Sequence, residues 1–161
     1  MTKPEPTAPK SAPLPPRWVI RAAWAIHRAI YSVTRGRIGL RPPTEKNWGM
    51  MRLTTVGRRS DQKHKAILGY FEDGPNLVTM AMNGWGEPEP AWWLNLQANP
   101  DTTVELIDGR RAIHGRAATP EERPRLWAMW GTYDGEDNLA SWSSRRPKET
   151  AVVILEPREH A

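Results

Sequence analysis

Apolar positions along the chain change period at Pro42-Pro43. Between Arg17 and Arg35, Trp18, Ala22, Ala25, Ile26, Ala29, Ile30 and Val33 recur at helical spacing, which predicts an amphipathic helix. Arg17, Arg21, Arg28 and Arg35 take the opposite face, and Trp24 and Tyr31 sit beside them. After the prolines the pattern is that of strands. Met50–Val56, Lys65–Phe71 and Asn76–Met82 predict a meander of three antiparallel strands, with Glu72-Asp73-Gly74-Pro75 as its second turn. Asn83–Glu89 reads as a loop in which two glycines flank Trp85. Pro90 suits the first turn of a short helix, Ala91–Ala98, that Asn99-Pro100 terminates. Thr102–Ile107 and Arg110–Ala117 flank Asp108-Gly109, a type I′ hairpin signal. Thr119-Pro120-Glu121-Glu122 is a capping box for a helix reaching about Trp130, with Leu126, Met129 and Trp130 on its apolar face, Trp127 beside them and Pro124 removing one early hydrogen bond. Gly131–Asn138 reads as a polar loop carrying Tyr133, Leu139–Ser144 as a short helical turn, and Ala151–Leu155 as a last strand. Six strands joined largely by hairpins predict a small antiparallel barrel, not a βαβ fold.

Charge refines the layout. Residues 1–41 hold eight of the 23 Lys and Arg residues and only one of the 18 acids, Glu5. Basicity therefore belongs to the amino-terminal arm and to a cluster at 52–65, which argues against a nucleic-acid-binding body. The 161 residues divide into a disordered lead (1–16), a basic helix and linker (17–41), one folded domain (42–157) and a short tail (158–161). The helix at 17–35 suits either an anionic membrane surface or packing on the body, and its pattern leaves both open. With no run long and apolar enough to span a bilayer and no signal-peptide core, the expected location is cytoplasmic, with a peripheral site on the inner membrane face. The absence of cysteine excludes disulfides, thiol catalysis and zinc–thiolate sites, and the four scattered histidines have no metal-ligand spacing.

The chemistry concentrates in Leu53–Lys65, LTTVGRRSDQKHK. A β-branched run meets Gly57 and opens into Arg58, Arg59, Ser60, Lys63, His64 and Lys65, with Asp61 as the one acid. Glycine lets the backbone approach an anion, amides beyond it can point at an oxyanion, and guanidinium groups add charge-assisted forks. Phosphate fits such a cradle, although a solvated basic hairpin would read the same way. Asn95, polar within an apolar helix, requires a partner, either a backbone carbonyl or a ligand edge.

These pieces together resemble the deazaflavin-dependent nitroreductase family of actinobacteria, reductases that use reduced coenzyme F420. The match runs through LTTVGRRS (Leu53–Ser60), the EDG turn (Glu72–Gly74), PAWWLNLQANP (Pro90–Pro100), ATPEER (Ala118–Arg123) and VVILEP (Val152–Pro157), in the family's order. The resemblance implies a mainly β, flavin-reductase-like split β-barrel with short peripheral helices. It places the cofactor's phosphate at Arg58, Arg59 and Ser60, with His64 nearby. Ala66, Leu68, Met80, Ala81 and Met82 would face the ring system, largely through backbone, and Trp92, Trp93 and Asn95 would close over it. Trp85, Trp127, Trp130 and Tyr133 would wall the pocket of a small hydrophobic electrophile, a quinone or α,β-unsaturated carbonyl, with Tyr133 as the candidate catalytic group. A flavin reductase or a non-catalytic deazaflavin or lipid carrier would share much of this pattern. Three departures stand out: Asp61 replaces a usual glycine, Met82 a common serine, and Gly69 a tyrosine of the nitroimidazole-reducing member. The last two imply a roomier, more apolar pocket and argue against nitroimidazole activation.

Overall fold

The computed structural model describes residues 39–82, 88–134, 136–144 and 146–158. The expected helix at 17–35 and Trp85 lie outside them. Six strands form a closed antiparallel barrel: β1 (Gly49–Val56), β2 (Lys63–Asp73), β3 (Asn76–Met80), β4 (Asp101–Leu106), β5 (Gly109–Ala117) and β6 (Val152–Pro157). Their order around the barrel is β1-β2-β3-β6-β5-β4, and β4 returns to pair with β1. Among the described residues three helices lie outside the sheet: α1 (Ala91–Ala98), α2 (Arg123–Asp134) and α3 (Glu136–Ser143).

Strand alternation builds two apolar cores from one sheet. Met51 and Leu53 of β1, Tyr70 of β2, Leu77 of β3, Val104 of β4, Ile113 of β5 and Val153 and Leu155 of β6 fill the interior with Trp93 and Leu96 of α1. Phe71, Val78, Met80, Val152 and Ile154 instead meet Leu126 and Trp130 of α2 and Leu139 of α3. All four apolar residues of Val152–Leu155 are therefore buried, because helices cover one face and the barrel lumen the other.

Two local expectations change. The β4–β5 hairpin forms, but Leu106 pairs with Gly109, so Ile107 and Asp108 are its central residues. A type I′ turn needs positive φ at both central positions. Only Gly109, at φ +143°, supplies one, and the turn shifts by a residue. The polar loop expected around Tyr133 is the last turn of α2. Tyr133 stacks on Phe71 (centroids 6.2 Å apart, planes at 25°), so tertiary packing carries the helix past Gly131.

The capping box is reciprocal: Glu122 N–H donates to Thr119 Oγ1 (3.3 Å), and Thr119 N–H donates to Glu122 Oε2 (2.8 Å). Arg116 of β5 forks onto Glu122 (2.7 and 2.9 Å) and also reaches Glu156 of β6 (2.8 Å), which ties the cap to the sheet. The Arg116 hydrogen bond, then the Thr119 amide, holds the Glu122 carboxyl down to about 2. A carboxyl depressed in the fold stabilises it above the ordinary carboxylate pKa and loses that contribution as pH falls toward 2. Glu122→Gln should therefore cost about 1 kcal/mol near neutral pH, a value reduced for partial exposure, and only a small part of that at pH 2, where half of the carboxyl is protonated. Urea unfolding from pH 7 to 2 checks this, since equal losses at both ends would remove the ion pair from the account.

Candidate active site

β1 leaves the barrel at Val56, and the chain turns sharply before β2. Gly57 closes this turn by donating its N–H to Gln62 O (2.8 Å) and accepting from Asp61 N–H (2.9 Å) and Ser60 N–H (3.3 Å). Asp61 takes φ +52°, the left-handed conformation that glycine adopts without strain. The glycine that the resemblance leads us to expect here would thus have a backbone reason. Asp61 tolerates the geometry and puts an exposed carboxylate in the turn.

Gly57 is also where side chains converge. A Cβ there would lie 2.5 Å from Ser60 Oγ and 2.9 Å from His64 Nε2. Those two atoms are 3.5 Å apart, and Ser60 Oγ also accepts from Gln62 N–H (3.4 Å). Only a residue without a side chain leaves them side by side over the turn.

Helix α1 forms the opposite wall. Asn95 is 6% exposed, and its Oδ1 accepts from both the backbone N–H and Nη1 of Arg58 (3.2 Å each). Its partner is thus the arginine of the turn, neither the carbonyl nor the ligand edge considered from sequence. Asn99 Nδ2 donates to Val56 O (3.4 Å). The two asparagines fix α1 against the exit of β1 and hold one guanidinium in place before any ligand arrives.

Between turn and helix lies a cleft of about 510 Å³, lined by Arg58, Arg59, Ser60, His64, Ala66, Trp92 and Asn95, together with Thr55, Gly57, Lys65, Pro90 and Ala91. The first seven are all residues that the sequence singles out for the cofactor. Of the second group, Gly57 and Lys65 belong to the stretch already read as an anion cradle, and Thr55, Pro90 and Ala91 are what that reading missed. Pro90 and Ala91 bring the N-terminus of α1 to the cleft, where amides without intrahelical acceptors favour an anion. Thr55, 1% exposed on the inward face of β1, has a hydroxyl with no partner, a signal legible only as a polar residue on an apolar face. The donor set, the bare Gly57 and this orphaned hydroxyl fit a phosphate-bearing group.

Other candidates sit elsewhere. Trp93 is 3% exposed within the barrel core and does not line the cleft, because α1 turns it into the lumen. Leu68 packs partly buried against the same core, and Ala81 is buried in it. Met80 is buried in the outer core, with Met82 at its edge. Trp127, Trp130 and Tyr133 also belong to the outer core and do not line the cleft. Trp130, 2% exposed, is wedged between Trp48 (5.7 Å) and Phe71 (5.6 Å), which makes it a packing residue and not an open wall. Trp127 lies under Arg123, whose guanidinium is 4.6 Å from the ring centroid. The space expected at Gly69 is filled: a Cβ there would meet Trp48 at 3.2 Å and Trp130 at 3.5 Å.

The sequence model of the F420H(2)-dependent quinone reductases matches residues 24–157. An F420H(2)-dependent quinone reductase of Mycobacterium tuberculosis is 30% identical over 135 residues, covering 83% of this chain and 89% of that protein. Among solved structures, an F420-H2-dependent reductase, FDR-A, superposes with a TM-score of 0.58 at 24% identity, over 66% of this chain and 93% of its own. The haem storage protein HutZ of Vibrio cholerae superposes at 0.51 with 11% identity, over 69% and 82%. These two likenesses concern the fold alone.

Proposed function

The chain belongs to the F420H(2)-dependent quinone reductase family, oxidoreductases whose hydride donor is reduced coenzyme F420, and on that premise we propose how its residues divide the work. The observation that carries the reading is the convergence of Arg58, Arg59, Ser60, His64 and the N-terminus of α1 on one cleft. Arg59 neutralises the cofactor's phosphate, and Arg58, braced by Asn95, presents a fixed guanidinium beside it. Ser60 and His64 add hydrogen bonds over Gly57, and the amides at the start of α1 complete the cradle. Ala66 and Trp92, both on the cleft, would hold the ring system, and the backbone of Leu68 and of the Met80–Met82 strand end would flank it.

When bound, the reduced deazaflavin supplies a hydride to the acceptor. Tyr133 serves the acceptor side. Its ring is held by stacking on Phe71, so its hydroxyl can be oriented in advance toward the oxygen that gains charge as a quinone or enone is reduced. Trp85 and Trp127 remain candidate walls for a hydrophobic acceptor. Tryptophan-quenching titrations with the deazaflavin and with FMN test the reading. Saturable binding of the deazaflavin, with FMN much weaker, is expected; equal or tighter FMN binding would reassign the cleft to a flavin.

Among the described residues no helix is long and apolar enough to cross a membrane. The basic amphipathic pattern at 17–35 supports a peripheral site on anionic membrane. Full-length protein should sediment with phosphatidylserine vesicles and come off at high salt, and a chain lacking residues 1–35 should stay in the supernatant. Sedimentation of the truncated chain alongside the full-length protein would count against this role.

A further inference from the structure

Arg146, in the segment that leads from α3 to β6, is the one charged residue in the buried set among the described residues, at 8% exposure. Nη1 donates to Ala81 O (3.0 Å) and to Thr150 Oγ1 (2.7 Å), while the buried Nε–H has no acceptor. Among the described residues no carboxylate pairs with it. The acids next to this segment are taken: Glu89 by Lys148 (2.9 Å) and Glu149 by Arg123 (2.9 Å). A guanidinium stays ionised at any pH a protein survives, and a buried charge without a counter-charge costs several kcal/mol in typical proteins. Simple packing would be served as well by an apolar side chain.

What Arg146 holds is specific. β3 ends at Met80, and Met82 N–H donates back to Met80 O (2.9 Å), a three-residue turn centred on Ala81. Ala81 N–H is bound to Ala151 O (2.9 Å), and Arg146 takes the carbonyl, so both polar groups of Ala81 are fixed. We propose that Arg146 is a positioning residue for the hydride-transfer reaction: it clamps the Ala81 turn and leaves a positive charge, offset by no described carboxylate, beneath the strand end that would face the deazaflavin ring. The inference rests on the placement of the ring along Met80–Met82 given above. Gaining a hydride adds one negative charge to the ring unless a proton follows. A fixed positive charge nearby therefore favours the reduced cofactor over the oxidised one.

Anaerobic titrations of reduced and oxidised coenzyme F420 onto the full-length protein, followed by tryptophan quenching, test this. The native protein should bind the reduced form at least about tenfold more tightly, equivalent to raising the midpoint potential of the bound cofactor by about 30 mV. Arg146→Gln should lose most of that ratio. Arg146→Lys should keep it, because the charge stays, while both forms bind more weakly as the Ala81 turn loosens. An unchanged ratio in Arg146→Gln, or equal losses in both redox forms, would leave Arg146 a structural clamp and overturn the inference. If Arg146→Gln does not fold, a bound potential in the native protein at or below that of the free cofactor overturns it as well. No saturable binding of either form overturns the cleft assignment and this inference together, whereas tight binding of both at equal affinity overturns the inference alone.

Discussion

Removing both guanidinium groups of the β1 exit, in Arg58→Ala/Arg59→Ala, is expected to weaken deazaflavin binding on the order of 10²- to 10³-fold. Each charge-assisted hydrogen bond to a phosphate is worth about 1.5–3 kcal/mol, and two groups on one phosphate do not add fully. The single variants separate binding from folding. No hydrogen bond or ion pair ties Arg59 to the rest of the described chain, so Arg59→Ala should lower affinity about 10- to 100-fold with the melting temperature unchanged. Arg58→Ala also strips one donor from the buried Asn95 Oδ1, so it should lower both affinity and stability. Titration and thermal melting of the three variants check this. Affinity unchanged in the double variant would remove the anion cradle. A loss of stability in Arg59→Ala would instead show a structural role for that residue.

Trp130→Ala is expected to cost about 3–5 kcal/mol of stability, the usual size for an aromatic truncated in a packed core. The indole is surrounded by Trp48 (5.7 Å), Phe71 (5.6 Å) and Tyr133 (6.4 Å), and it covers the bare backbone of Gly69. Its removal opens a cavity beneath three rings, two of which, Phe71 and Tyr133, also stack on each other. Trp130→Phe is the control. Trp130 Nε1 is buried without an acceptor, so losing that N–H removes an unsatisfied donor and offsets part of the lost volume. Phenylalanine should therefore cost less than half as much as alanine. Urea unfolding gives both values. If Trp130→Ala kept its stability and raised only KM for a quinone, the indole would be a substrate wall and the packing account would fail. Because Tyr133 leans on the same cluster, the alanine variant should also lower turnover, which a distant core cavity would not do.

Local chemistry made much of this protein legible from its residues. Helix α1 has the predicted bounds, Ala91–Ala98, because Pro90 and Asn99-Pro100 mark its ends within a few atoms of backbone. The reciprocal bonds of Thr119 and Glu122 join residues three apart, and the turn around Gly57 joins residues no more than five apart. The basic and hydroxyl groups at 58–64 were visible for the same reason. Interactions of short sequence separation need little from the rest of the chain.

What the sequence could not decide was which face of each strand meets what. Alternation marks two faces, but it does not say that one faces a lumen and the other a helix layer. Gly69 read as empty space and is covered by two indoles, one of them 61 residues away in sequence. Tyr133 read as a loop residue and is helical, because Phe71 offers a ring to stack on and local propensity at Gly131 is overridden. Nothing in the sequence singled out Arg146, and only the pairing of β3 with β6 brings it beneath Ala81, 65 positions away. By itself the sequence determined the turn at Gly57, the bounds of α1, the capping box and the charge of the anion site, since each lies within a few bonds of its cause. Tertiary structure alone decided the second core, the covering of Gly69 and the buried guanidinium, since those depend on contacts made only once β3 has paired with β6 and the helices have packed on the sheet.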